Sequence, residues 1–405
     1  MLDNRIKFKA NEQGLLINGL GLDRVQAIAG SLPCYVYDKS LIKARIQALK
    51  AAMPEKLNIH YAMKANPSPS VVHFISQMLD GLDVASHQEL KLALETNTPA
   101  FDISMAGPGK SEEDIASAVA AGITLNVESV GELKRIYEAK DRLGVEHVNL
   151  ALRINPDFKV KGTGMAMGGN ALQFGTDREM LTELMQEVRD KQEIVGLHLF
   201  SGSQNLNAEA LCVIYQKTFE TAASIVEEFG LSLKKLNIGG GLGIPYFDKE
   251  QDLDLSNISQ VLGHQIDQWH ANIGECEVEM ELGRYLVAEA GVYLCKVTDI
   301  KDSRGKRFIV TNGGLHHHLS ATGNFGQVFR QNYPIAIANK MLSEDEQEYH
   351  IVGPLCTPID TLASDLPLPK AEIGDIIAIF QSGAYGFTAS PHLFLSQPKP
   401  IEILL

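Results

Sequence analysis

The sequence predicts an α/β protein: a (β/α)8 barrel of the TIM type followed by a C-terminal antiparallel β-barrel or sandwich domain. Three observations carry this. Eight short β-rich runs alternate with longer amphipathic runs over about 230 residues, the size of such a barrel. The polar residues that interrupt the apolar runs fall at the ends of those strands. After Tyr285 the long helical patterns stop and strand-like runs follow one another directly.

The strands begin near Asn58, Gly81, Asp102, Ile123, Asn149, Ile194, Lys235 and Glu277. Helical spacing fills the gaps, as in 88–96, 112–121, 131–143 and the long run 208–229. A doubly wound sheet is the competing arrangement, and the count of eight favours the barrel. Beyond Tyr285, runs such as VYLCKVTDI, RFIVTNGG and DIIAIFQSGAY are separated by turn residues. The first 30-odd residues also look strand-like. The expected division is therefore a barrel over 33–285, with 1–32 and 286–405 forming the β domain.

At 405 residues and 45% apolar content the chain has ample material for two cores. Its net charge of −14 is spread along the chain, which argues against a nucleic-acid partner. The five cysteines are odd in number and widely spaced, so neither a disulfide framework nor a structural zinc site is expected. No apolar run approaches the roughly 20 residues that span a bilayer. A soluble, cytoplasmic protein without membrane contact is the expectation.

In a barrel, chemistry gathers at the C-terminal ends of the strands. Lys64 ends the first strand, after Tyr61, Ala62 and Met63. A lysine there is costly to bury as an ammonium, and a buried amine suits Schiff-base chemistry; the bland alternative is a lysine snorkelling to solvent. Asp83 ends the second strand, Arg153 the fifth and His198 the sixth. Gly239, Gly240 and Gly241 follow the seventh, where barrels often bind phosphate on backbone N–H groups. Ile244 stands where a dinucleotide fingerprint would need a glycine. Glu281 and Arg284 end the eighth. A carboxylate beside a pyridine nitrogen keeps it protonated and strengthens an electron sink, although an ion pair with Arg284 or Arg153 would explain Glu281 as well. In the tail, Cys356 and Asp360 share a loop and Tyr385 sits between glycines. Cys356 is a candidate proton donor or a small buried hydrophobe. The run His316, His317, His318 invites a metal reading, but on a strand only the outer two share a face, so no metal is expected.

Together these residues resemble the alanine-racemase-like, fold-type III pyridoxal-phosphate decarboxylases, which act on diaminopimelate, ornithine and arginine. The resemblance covers essentially the whole chain. YAMKAN at 61–66 is similar to the cofactor-lysine motif, LDVAS at 82–86 with Glu89 to the second-strand motif, and HLFSGS at 198–203 to the ring-stacking histidine motif. The glycines at 239–241 resemble the phosphate loop, and ELGR at 281–284 the family's Glu-Pro-Gly-Arg. The resemblance implies pyridoxal 5'-phosphate on Lys64, a homodimer, and Cys356 and Asp360 reaching the partner's site. It implies that Arg153 and Arg284 bind acid groups of cofactor or substrate, and that Ser201 and Tyr385 hold the cofactor. Lys64, Cys356 and Glu281 would be catalytic, with Cys356 or Lys64 returning a proton to the α-carbon.

Two departures concern the substrate. Where diaminopimelate decarboxylases carry Cys-Glu-Ser-Gly-Asp, this chain has Cys356-Thr357-Pro358-Ile359-Asp360. Their Arg-Pro-Ala-Leu-Tyr segment has no counterpart beyond FRQNYP at 329–334, in which Arg330 is the candidate substrate contact. Both features resemble a subgroup with the carrier-linked glutamyl decarboxylase of butirosin synthesis and exosortase-associated decarboxylases. Diaminopimelate is the family's default substrate; a carrier-linked glutamyl group or a basic amino acid is the alternative. A racemase is disfavoured by Glu281, and a non-catalytic cofactor carrier by the β domain.

Overall fold

The structure is a computed structural model and describes residues 3–158, 160, 165–166, 171–325, 327 and 330–405. Phe329 of the candidate substrate segment lies outside the described residues.

All eight expected strands form: β1 (Leu57–Ala62), β2 (Gly81–Val84), β3 (Ile103–Met105), β4 (Thr124–Val127), β5 (Asn149–Asn155), β6 (Ile194–Leu199), β7 (Lys235–Asn237) and β8 (Glu277–Leu282). Each pairs in parallel with the next, and β8 pairs with β1, which closes the barrel. Helices follow the strands as the periodicity requires. Glu112–Ala121 carries a capping box, Ser111 with Asp114, and stops at Gly122 in the left-handed region. Ala208–Phe229 is capped by Asn207 and ends at Gly230 in the same way.

Side-chain alternation sorts this barrel into two environments. Leu57, Ile59 and Tyr61 of β1, or Val278, Met280 and Leu282 of β8, join the apolar core shared with the helices. The other face of the strands carries His60, Asp83, Ser104, Asn126, Arg153, His198, Lys235, Asn237, Glu279 and Glu281, all buried. Barrel interiors are usually packed with branched aliphatic residues; this one is filled with hydrogen-bonding and charged groups.

The C-terminal sheet is mixed, which corrects the expectation of an antiparallel one. Its long strand Gly291–Ser303 pairs antiparallel with Cys34–Tyr37, Lys306–Thr311 and Ile376–Ile379. Lys306–Thr311 runs parallel to Glu346–Val352, and Ile401–Leu404 parallel to Cys34–Tyr37. Gly291–Ser303 and Lys306–Thr311 join in a tight hairpin at Arg304 and Gly305, whereas the parallel neighbours are reached through long excursions, as parallel pairing requires. Cys34–Tyr37 thus lies in this sheet although the sequence division put it with the barrel. The N-terminal strands Lys9–Asn11, Gly14–Ile17 and Leu20–Gly21 do not join the sheet either. They form a small antiparallel sheet of their own. It rests on the larger one through Phe8, Leu15 and Ile17, packed with Val36, Val292 and Phe380.

The three histidines also fall elsewhere than expected. They occupy a turn, not a strand. His317 bonds Tyr293 Oη through Nδ1 (2.9 Å) and the Pro398 carbonyl through Nε2 (2.7 Å), and His318 Nε2 meets Ser382 Oγ at 2.8 Å. The His316 ring nitrogens have no hydrogen-bond partner, and its ring lies 3.7 Å from that of His317. Burial lowers their pKa values to about 4, 4 and 3, so they are neutral struts. No group of three or more His, Cys, Asp or Glu placed to hold a metal occurs among the described residues.

Candidate active site

The expected residues of the barrel converge at its C-terminal mouth. Lys64 lies on a 3₁₀ turn, Met63–Ala65, just past β1. The sequence reading took its amine as buried. The structure corrects this: Met63 and Ala65 point into the core, and the side chain between them is exposed at the mouth. Its Nζ stands 5.7 Å from the centre of the Phe200 ring.

Below it lies a line of polar side chains. Asn237 Nδ2 donates to Glu281 Oε1 (2.9 Å), and His198 Nε2 is 3.4 Å from the same oxygen. His198 Nδ1 bonds Asn126 Oδ1 (3.0 Å), and Asn126 Nδ2 donates to the Met105 carbonyl (3.2 Å). Because Asn126 presents its oxygen, His198 Nδ1 carries the hydrogen. Burial holds the His198 pKa down at about 4, with Arg153 and Lys64 adding to the effect against Glu281. Burial alone would raise Glu281, but its electrostatic coupling to His198, the Lys64 and Arg153 charges and the Asn237 bond outweigh it and hold the carboxyl below its usual range. Asp83 accepts from Ser104 Oγ (2.6 Å) and keeps a second buried oxygen unpartnered. Burial, with the nearby Glu281 charge, pushes its pKa up to about 6.

Arg153 does not pair with Glu281. It donates to Glu128 Oε1 at 2.9 Å, and Glu128 also accepts the backbone N–H groups of Gly107 (2.6 Å) and Gly175 (2.9 Å). Arg284 donates to Tyr246 Oη (3.0 Å) and lies between two rings, 5.4 Å from that of Tyr246 and 4.8 Å from that of Tyr385. Tyr385, at φ +59°, donates its backbone N–H to the Ala65 carbonyl (2.8 Å), which ties the β domain to the turn bearing Lys64.

The glycine loop leaves no room for side chains. A Cβ at Gly240 would sit 1.9 Å from the Glu281 carbonyl oxygen, and one at Gly239 2.8 Å from that of Leu199. Gly240 and Gly241 line a small cavity with Ser201 and Asn205. Ser201 Oγ and Asn205 Nδ2 are buried there without partners. Orphaned donors beside a glycine loop fit a bound anion such as a phosphate.

On the β domain the outcome differs. Cys356 is exposed, and among the described residues no hydrogen bond joins it to the barrel mouth. Asp360, expected to contact substrate, is buried. Its two oxygens accept the backbone N–H groups of Leu315 (2.6 Å) and Leu355 (2.8 Å), so it shapes the loop instead. Arg330 is exposed and donates to the Thr361 carbonyl (2.5 Å). Asn126, Glu128, Asn237 and Tyr246 went unmarked in the sequence. For Asn237 the available signal was its place two residues before the marked Gly239.

Residues 39–288 match the family model described as "Pyridoxal-dependent decarboxylase, pyridoxal binding domain". The chain belongs to the pyridoxal-dependent decarboxylases. It is 35% identical to the L-glutamyl-[BtrI acyl-carrier protein] decarboxylase of Niallia circulans, over 92% of this chain and 88% of that one. It is 32% identical to the diaminopimelate decarboxylase of Aquifex aeolicus, over 96% of this chain and 90% of the relative. A diaminopimelate decarboxylase from M. jannaschii, solved in complex with L-lysine, superposes with a TM-score of 0.87 at 25% identity, covering 100% of this chain and 94% of its own. This decarboxylase is thus a fold-type III enzyme of the diaminopimelate-decarboxylase-like group, and pyridoxal phosphate is its cofactor. The mouth described above fits that cofactor: an accessible amine, a buried carboxylate and an anion cradle lie together.

Proposed function

We propose that this enzyme decarboxylates an amino acid whose distal end is not a free ammonium group, with a carrier-linked glutamyl group as the leading candidate. The observation that carries the reading is Thr357, which stands on the Cys356 loop where diaminopimelate decarboxylases place a glutamate. A hydroxyl does not neutralise a distal ammonium as a carboxylate does. The 35% identity to a carrier-linked glutamyl decarboxylase supports it. The second reading is meso-diaminopimelate, favoured by the 32% identity to a diaminopimelate decarboxylase.

When bound, pyridoxal phosphate supplies the sink for the electron pair left as the α-carboxylate departs as CO₂. The chain's own groups do the rest. Lys64 would hold the cofactor. Ser201, Asn205 and the glycine loop receive the phosphate. Glu281, kept ionised, holds a proton on the ring nitrogen. Arg284, between two aromatic rings, binds an acid group. Cys356 or Lys64 would return a proton to the α-carbon.

Because Cys356 is exposed, we propose that it serves the mouth of a second copy in a homodimer, as the resemblance implies. The experiment is a CO₂-release screen of purified enzyme against carrier-linked glutamate, free glutamate, meso-diaminopimelate, lysine, ornithine and arginine. Release from the carrier-linked substrate, at a kcat/KM well above that for diaminopimelate, supports the reading. Preference for diaminopimelate replaces it with the second.

A further inference from the structure

Beneath the mouth, the barrel holds a histidine that no step above uses. His60 is 1% exposed, in the middle of β1. In register, Glu281 of β8 lies on one side and Gly81 of β2 on the other. A Cβ at Gly81 would sit 2.4 Å from His60 Cε1, so the missing side chain is what makes room for the imidazole. Its Nδ1 is 3.6 Å from Asp83 Oδ1, and its Nε2 is 3.6 Å from Glu279 Oε1. Glu279 meets Lys235 at 2.8 Å, and Lys235 meets Asp102 at 3.0 Å.

Charges therefore alternate up the barrel, from Lys235 through Glu279 and His60 to Asp83. A neutral imidazole would turn a bare nitrogen toward one of its two carboxylates; only the imidazolium offers N–H to both. Burial works against that charge, but Glu279 and Asp83 outweigh it and raise the His60 pKa to about 9, with Lys235 opposing. Asp83 and Glu281 stand on the two strands that flank β1. Two carboxylates near one another in a dry site tend to share a proton unless a cation supports both.

We propose that His60 is a positioning residue of the cofactor site: carried as an imidazolium between Asp83 and Glu279, it keeps Asp83 and Glu281 ionised together. Glu281 then has no proton to trade with its neighbour. The proposal rests on the decarboxylase reading for the role of Glu281.

The test uses the holoenzyme with ¹⁵N-labelled histidine, and His60→Gln assigns the resonance. His60 is expected to stay doubly protonated through pH 8. A single-proton signal at pH 7.5 overturns the proposal, and this readout needs no turnover, so it is independent of whether the decarboxylase reading holds. In His60→Gln the acid limb of the kcat/KM profile is expected to move up by about one pH unit; an unchanged profile in a folded variant contradicts the proposal. If His60→Gln does not fold, Asp83→Asn serves instead and the resonance is assigned by elimination. Its His60 is expected to titrate at least about one unit lower than in the parent, and an unmoved titration contradicts the proposal.

Discussion

The barrel mouth and the Cys356 loop, which we propose as two halves of one site, differ in how complete they are within a single chain. At the mouth several charged groups are met: Glu281 by Asn237, Arg153 by Glu128, Arg284 by Tyr246. Among the groups left unpartnered there are two donors, Ser201 and Asn205, suited to a ligand. On the loop, Asp360 is spent on two backbone amides and Cys356 faces out. The barrel is a finished holder for the cofactor. The loop is held in shape by Asp360 and leaves the Cys356 thiol exposed. The comparison teaches that polar residues crowd the barrel because it must hold charge away from water, whereas the loop needs only its geometry.

The largest expected effect breaks the mouth at its anchor. Lys64→Ala is expected to lower kcat on the order of 10⁴-fold, with loss of the protein-bound cofactor absorbance. Since the Lys64 side chain is exposed, the thermal midpoint of the apoprotein is expected to change little. Next, Glu281→Gln is expected to cost about 10²- to 10³-fold in kcat while cofactor remains bound, as steady-state rates and a cofactor titration will show.

A smaller effect is structural. Gly240→Ala forces a methyl against the Glu281 carbonyl, and such overpacking costs about 1–3 kcal/mol; urea denaturation measures it. Another change is graded with pH. His316, His317 and His318 have folded pKa values lowered to about 4, 4 and 3. The unfolded chain therefore binds more protons between pH 4 and 6.5. The stability these neutral histidines contribute is present above about 6.5 and is lost as pH falls toward 4. Thermal midpoints across that range are expected to drop.

How much of this was legible in the sequence depended on the face concerned. The strand positions and the helix Ala208–Phe229 follow from periodicity, because the apolar face of each element must be buried whatever the topology. The other face of the barrel strands was harder. A strand such as EVEMEL, with alternating glutamates, reads locally as half exposed to water. Only closure of the barrel turns Glu279 and Glu281 inward and gives Asn126 and Asn237 partners. Lys64 erred in the opposite sense: its apolar neighbours suggested burial, but a single turn after β1 lifts the amine out of the core. Asp360 was marked by its neighbour Cys356, and nothing local showed that two distant backbone amides claim its oxygens.

The most direct test of the division between mouth and loop mixes two inactive variants, Lys64→Ala and Cys356→Ala, unfolded together and refolded with pyridoxal phosphate. If the thiol of one copy serves the mouth of another, random pairing places one intact site in half of the dimers, and roughly a quarter of wild-type activity returns. If mixed dimers form but activity stays at the level of the separate variants, the two half-sites do not meet across subunits and the account is wrong.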